Sequence, residues 1–130
     1  MFGQEVVVLF AFLCIQRFMK KENRLKLNRD FRRLYAKGKN VACGCIAVYA
    51  AKTKRETVRA GLTVGKGIGN AVKRNRAKRL LRVAFDLACV NVKGGYDIII
   101  VARNRIDGKN SLQVTHDLKR AFDTLGLYSE

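Results

Sequence analysis

The sequence predicts one α+β domain, a two-layer sandwich in the order α-β-β-α-β-α, and three observations carry that reading. The chain has 130 residues, enough for one core and too few for two. Two segments repeat apolar residues at helical spacing behind good capping residues. Two others are short, apolar and β-branched, as buried strands are.

The elements follow in order. Asn28 or Asp30 caps a short helix through Lys37, with Phe31, Leu34 and Tyr35 on one face, Arg29, Arg32 and Arg33 on the other, and Gly38 as its stop. Val41 to Ala51 runs as small and β-branched residues, and Val58 to Val64 alternates. With the charged KTKRET between them, they read as two antiparallel strands. Gly65, Gly67 and Gly69 break the pattern before a long helix from Asn70 to about Cys89. Gly94 and Gly95 precede YDIIIVA, a strand from Tyr96 to Ala102 expected inside the sheet. After a turn at Asp107 and Gly108, Asn110 or Ser111 caps a last helix whose core stripe is Val114, Leu118, Ala121, Phe122 and Leu125.

Residues 1–18 do not match this pattern. Val6 to Ile15 is uninterrupted apolar, yet ten residues are too few to span a bilayer. The preceding MFGQE lacks the basic start of a secretory signal. Met19, where charge begins abruptly, reads as the natural start, which makes 1–18 an upstream translated extension and 19–130 a single domain. The alternatives are a segment that packs on the domain or touches a membrane.

Charge is the strongest functional signal. Lys and Arg number 27 against 10 Asp and Glu, a net charge of +17, which favours a polyanionic partner. The excess is localised, because no acidic residue lies between Glu56 and Asp86. On a helix, Arg74, Lys78 and Arg82 stack at i, i+4 and i+8 with Asn75 and Arg79 beside them, while Val72, Leu80, Val83, Ala84, Leu87 and Ala88 take the opposite side. Like charges at i+4 cost stability, so an external polyanion is the simpler account of this comb. Ahead of it, Lys66 and the Gly67-Ile68-Gly69-Asn70 loop feed a helix N-terminus suited to phosphate.

Other chemistries are poorly supplied. The four cysteines show no Cys-x-x-Cys, and His116 is the only histidine, so zinc-site spacing is missing. Cys43 and Cys45 read as small fillers on one strand face, which suits a reduced, cytoplasmic setting. An autonomous nuclease wants clustered carboxylates or paired histidines. The acids here are scattered singly, mostly at element ends or exposed helix positions. A structural ribosomal-type RNA-binding protein is the stronger rival on charge and size.

The run GLTVGKGIGNAVKRNRAKRLLRVAF, Gly61 to Phe85, with Arg74-Asn75-Arg76 at its centre, resembles the signature of the bacterial ribonuclease P protein subunit. KKENRLKLNRDF, KGKN, RAGLTV and YDIIIVAR follow in that family's order, so the resemblance covers Met19 to about Leu127. It implies an α+β sandwich with a left-handed β-α-β crossover, and a protein that assists an RNA enzyme in removing the 5′ leader of precursor tRNA. The partners implied are the catalytic RNA subunit and that leader, with no small-molecule substrate and no membrane. The cleavage centre is expected in the RNA, with Mg2+ for the holoenzyme and no cofactor in the protein.

Residue by residue, the resemblance places Lys66, Asn70, Lys73, Arg74, Asn75, Arg76, Lys78, Arg79 and Arg82 against the RNA subunit, and Phe31, Tyr35 and Tyr49 against the leader. It also exposes three departures. Lys66 is followed by Gly67 where the family usually has a second lysine, and Arg103 is not followed by Lys-Pro. Cys43, Gly44 and Cys45 stand where polar or basic residues are common, which implies a less charged cleft floor.

Overall fold

A computed structural model describes residues 24–25 and 28–128; the apolar run 6–15 and the expected start at Met19 lie outside them. The chain forms α1 (Asn28–Lys37), β1 (Lys39–Cys43), β2 (Ile46–Lys52), β3 (Arg59–Thr63), α2 (Ala71–Ala88), β4 (Tyr96–Ala102) and α3 (Ser111–Thr124), with 3-10 turns at Lys66–Ile68, Cys89–Asn91 and Asn104–Ile106. No helix among the described residues is long and apolar enough to cross a membrane.

The sheet order is β1-β2-β4-β3. β4 pairs antiparallel with β2 and parallel with β3, so β3, α2 and β4 form a β-α-β unit. The strands expected to run antiparallel on either side of the charged loop do so as β2 and β3, but they are not neighbours, because β4 lies between them. The reason is burial. Ile98, Ile99 and Ile100 are all fully buried, and successive strand residues point to opposite faces, so YDIIIVA needs cover on both sides and takes a central position.

The single strand expected from Val41 to Ala51 is also corrected to a hairpin. Cys43 pairs with Ile46 across a two-residue turn of Gly44 and Cys45. Gly44 has φ +59 and Cys45 beside it does not have positive φ, the pattern of a turn with glycine at its first central position. Cys43 and Cys45 both pack with the main core, so they act as fillers, but they do not floor the cleft beneath α1. Cys45 is held by Asp117 of α3, whose Oδ2 accepts from its backbone N–H at 3.1 Å and its thiol at 3.2 Å. Burial, followed by the Asp117 contact, pushes this thiol up to about 12, which makes it a poor nucleophile.

The expected two-layer sandwich is the sheet with α2 and α3 on one face. Ile46, Val48, Ala50, Ile98 and Ile100 meet Leu81, Phe85, Leu118 and Phe122 there. The Phe85 and Phe122 rings cross edge to face at 6.5 Å. Each such fully buried large side chain contributes roughly 1.5–3 kcal/mol. α1 lies on the opposite face, where Leu34 and Ile99 are buried with Leu25 and are flanked by Phe31, Tyr49, Ala51 and Val101.

Both long helices begin at the residues their sequence marks. Asn70 caps α2 by accepting from Lys73 N. Asn110 caps α3 in a reciprocal box with Gln113, at 2.9 and 3.0 Å. Asp30, by contrast, sits inside the first turn of α1 and is buried.

Candidate nucleic-acid interface

The basic surface is built by the period of α2. Its buried row is Ala77, Leu81, Ala84, Phe85 and Ala88, which leaves Asn75, Lys78, Arg79 and Arg82 on the outer face. These four line a shallow groove of about 500 Å³ together with Val72. Val72 was expected on the packing side and is instead 73% exposed, because the first turn of α2 precedes its first buried residue and nothing packs there.

Arg74 departs from the comb as well. At 100° per residue it lies about 60° from the Ala77 row, on the sheet side, and it is half-buried. Arg76 is tied inward, its Nη2 donating to Lys109 O at 2.9 Å, and Lys73 Nζ stands 3.5 Å from Asp107. Lys66 is exposed in the turn ahead of the helix, and the Asn70 Oδ1 is engaged in capping. Of the nine expected residues, Asn75, Lys78, Arg79 and Arg82 thus share one surface, and the others flank its N-terminal end.

The aromatic residues meet on the other sheet face. The Tyr35 and Tyr49 ring centroids are 4.8 Å apart at 78°, and the Tyr35 hydroxyl is hydrogen-bonded to Thr63 Oγ1 at 3.1 Å. The two rings touch edge to face, so there is no slot between them; Tyr35, 41% exposed, offers its own free surface beside a floor of Asn40, Ala42 and Ala47. Phe31 is half-buried and lies directly over Gly61, where a Cβ would come within 2.7 Å of Phe31 Cζ. Glycine is required there for the close approach of the ring.

One groove joins the two regions. Phe31, Gly61, Lys78 and Arg82 line a cleft of about 230 Å³ with Arg24 and Leu25, so the last cations of the comb also border the aromatic side.

Asp107 and Asp123 are exposed, and Asp97 lies at the start of β4 but is fully buried there; Asp86, within α2, is fully buried and not at an exposed helix position. Asp97 accepts two hydrogen bonds from Arg59, at 2.9 and 2.7 Å, and one from Arg33 at 2.8 Å. Asp30 stands 3.9 Å from both arginines. The signal for this network was one acid inside an otherwise apolar strand. Both Asp86 oxygens lack a hydrogen-bond partner among the described residues, and burial pushes its carboxyl up to about 7. Among the described residues no three metal-binding side chains come together.

Comparison with known proteins gives a consistent answer. Residues 19–126 match the family model described as Ribonuclease P. The ribonuclease P protein component of Clostridium novyi is 35% identical over 113 residues, covering 85% of this chain and 100% of that protein. The solved Staphylococcus aureus RNase P protein superposes with a TM-score of 0.74 at 33% identity, covering 82% of this chain and 98% of that one. The Thermotoga maritima RNase P protein gives 0.67 at 28% identity, covering 75% and 96%.

Proposed function

Because the chain belongs to the ribonuclease P protein component family, we propose that its α2 comb docks the catalytic RNA subunit while the α1 side receives the 5′ leader of precursor tRNA. Family membership sets aside the structural ribosomal-type alternative. The observation that carries the reading is the shared border: Lys78 and Arg82 line both the comb groove and the groove that reaches Phe31. A strand leaving an RNA held on α2 meets the aromatic face without crossing the protein.

The parts divide the work by their chemistry. Lys78, Arg79 and Arg82 are exposed cations without ion-pair partners among the described residues, and they neutralise phosphates with release of counterions. Arg76 and Lys73 fix the α2 N-terminus against the segment preceding α3. Tyr35 and Tyr49 offer ring surfaces to unpaired bases, a contact that tolerates any leader sequence. Phe31 closes the side of the cleft toward the comb.

The cleavage step in this reading belongs to the RNA subunit, with Mg2+ as its ion. Among the described residues the acids do not gather to hold that ion. Asp97 and Asp30 are engaged by arginines, Asp117 accepts from the Cys45 amide, and Asp86 is desolvated. The protein's contribution is to hold the leader and the RNA in register. Reconstitution with the same organism's RNA subunit and a 5′-leader precursor tRNA at low magnesium tests this. Stimulated cleavage supports the reading, and unchanged cleavage by a folded protein refutes it.

A further inference from the structure

The cations of α1 and of the β2–β3 loop are unused by this reading, and the fold brings them together. Arg29, Arg33, Lys52, Lys54, Arg55 and Arg59 line an open cleft of about 880 Å³ whose acidic member is Asp30. Asp97 lies buried behind it and is engaged by Arg33 and Arg59. Six cations thus stand against two carboxylates, and Arg29, Lys52, Lys54 and Arg55 have no ion-pair partner among the described residues.

This cleft is separate from the aromatic one. Phe31 and Arg33 are about 200° apart around α1, so the helix runs between the two sites. Across the sheet, Ala51, Asp97 and Arg59 form one row; the row of Tyr49, Ile99 and Gly61 is two residues or about 7 Å away, and that of Ala47, Val101 and Thr63, where the Tyr35 hydroxyl is bonded, about 13 Å away.

The cleft is also built, not a chance gathering of side chains. Asp97, fully buried, holds the Arg59 guanidinium by two bonds and the Arg33 guanidinium by a third, which fixes both at the wall with further N–H groups uncommitted. The loop carrying Lys54 and Arg55 is fixed as well. Thr53 N donates to Gly95 O at 2.7 Å. Gly95 has φ +84, and a Cβ there would come within 2.8 Å of Arg55 O, while one on Gly94 would collide with Glu56 O. The glycine pair lets the backbone of the loop lie against the start of β4.

Resting on the reading of the chain as an RNA-holding subunit, we infer that this cleft is a second phosphate-binding site, which takes the backbone of an RNA segment independently of the comb. The ligand chemistry is a run of phosphodiesters, supplied by the RNA subunit or by the leader of precursor tRNA. Planar arginines fixed by Asp97 suit paired phosphate oxygens, and the lysines add mobile charge around them.

The test uses the full chain with Lys52→Ala and Lys54→Ala combined, folding being checked by circular dichroism. Affinity is measured against salt in two arms: protein for the RNA subunit, and assembled holoenzyme for precursor and for mature tRNA. A log-log slope lower by about 1.5–2 units in one arm supports the site. A fall in the first arm names the RNA subunit as the source, and a fall for precursor alone names the leader. Unchanged slopes in both arms overturn the proposal. So does an equal fall in a matched Lys119→Ala, Arg120→Ala variant on the exposed side of α3, which would mean a general field and no site. Lys78→Ala with Arg82→Ala is run alongside. If that pair lowers the slope and the cleft pair does not, this inference alone fails; if neither does, the proposed function fails too.

Discussion

Arg59 on β3 reaches its neighbour Asp97 on β4 with Nε on Oδ1 at 2.9 Å and Nη2 on Oδ2 at 2.7 Å, a forked pair in which the carboxylate is wholly buried. Asp97 in turn anchors Arg33, so one acid ties α1 to the sheet. The pair also raises the arginine further above its ordinary value, chiefly through that hydrogen bonding.

Removing one member of this pair strands a buried charge. Arg59→Ala is expected to cost about 3–5 kcal/mol in urea unfolding. Arg33→Ala, with a half-exposed side chain, costs about 1 kcal/mol. A loss below about 1 kcal/mol for Arg59→Ala would show that Asp97 is satisfied otherwise.

Asp86 makes stability depend on pH in a stated direction. Its folded carboxyl titrates near 7 because of burial, above the ordinary value of 3.8. Between those values the folded state holds a proton that the unfolded state has released, so stability falls as pH rises from about 4 to about 7 and then levels. Asp86→Asn removes that slope. Thermal melts of both proteins at pH 4 and pH 8 check it: the variant gains relative to the parent only at the higher pH. A constant difference at the two values contradicts the assignment.

In the proposed function, Tyr49 is the residue at which leader binding can be told apart from RNA-subunit binding. Tyr49→Ala is expected to weaken precursor tRNA binding roughly tenfold, within the 1–3 kcal/mol a stacked base contributes, and to leave mature tRNA almost unchanged. Tyr49→Phe keeps the ring and is mild. Tyr35→Phe removes only the bond to Thr63 and is mild also. Equal losses for precursor and mature tRNA in folded Tyr49→Ala would make the Tyr35–Tyr49 contact purely structural.

What was legible in the sequence was local. The start of α2 at Asn70, the cap of α3, read as Asn110 or Ser111 and found at Asn110, and the apolar stripe of α3 are written in residues three to four apart. The hairpin at Gly44 was hidden because the residues around it are small and apolar, without the Asn-Gly or Asp-Gly pair that marks most tight turns. The interior place of YDIIIVA was legible in its near-continuous apolar run, but its neighbours were not, because which strands flank β4 depends on pairing between distant segments that no local pattern states. In the site, the comb followed from helical period, but Val72 sits in the first turn, where nothing packs to define an inside, and Arg74 lies close enough to the buried row to be half-covered. The Asp97 network joins residues 38 and 64 positions apart, beyond the reach of any motif.

In the proposed function the outer face of α2 holds RNA through its phosphates. The most direct measurement is the salt dependence of binding to the RNA subunit for Lys78→Ala, Arg79→Ala and Arg82→Ala, each confirmed folded. Each variant is predicted to bind more weakly and to lower the log-log slope by up to about one unit, with cleavage at saturating protein little changed. Slopes equal to the parent's in all three would reduce the comb to a solvated helix face and contradict the account.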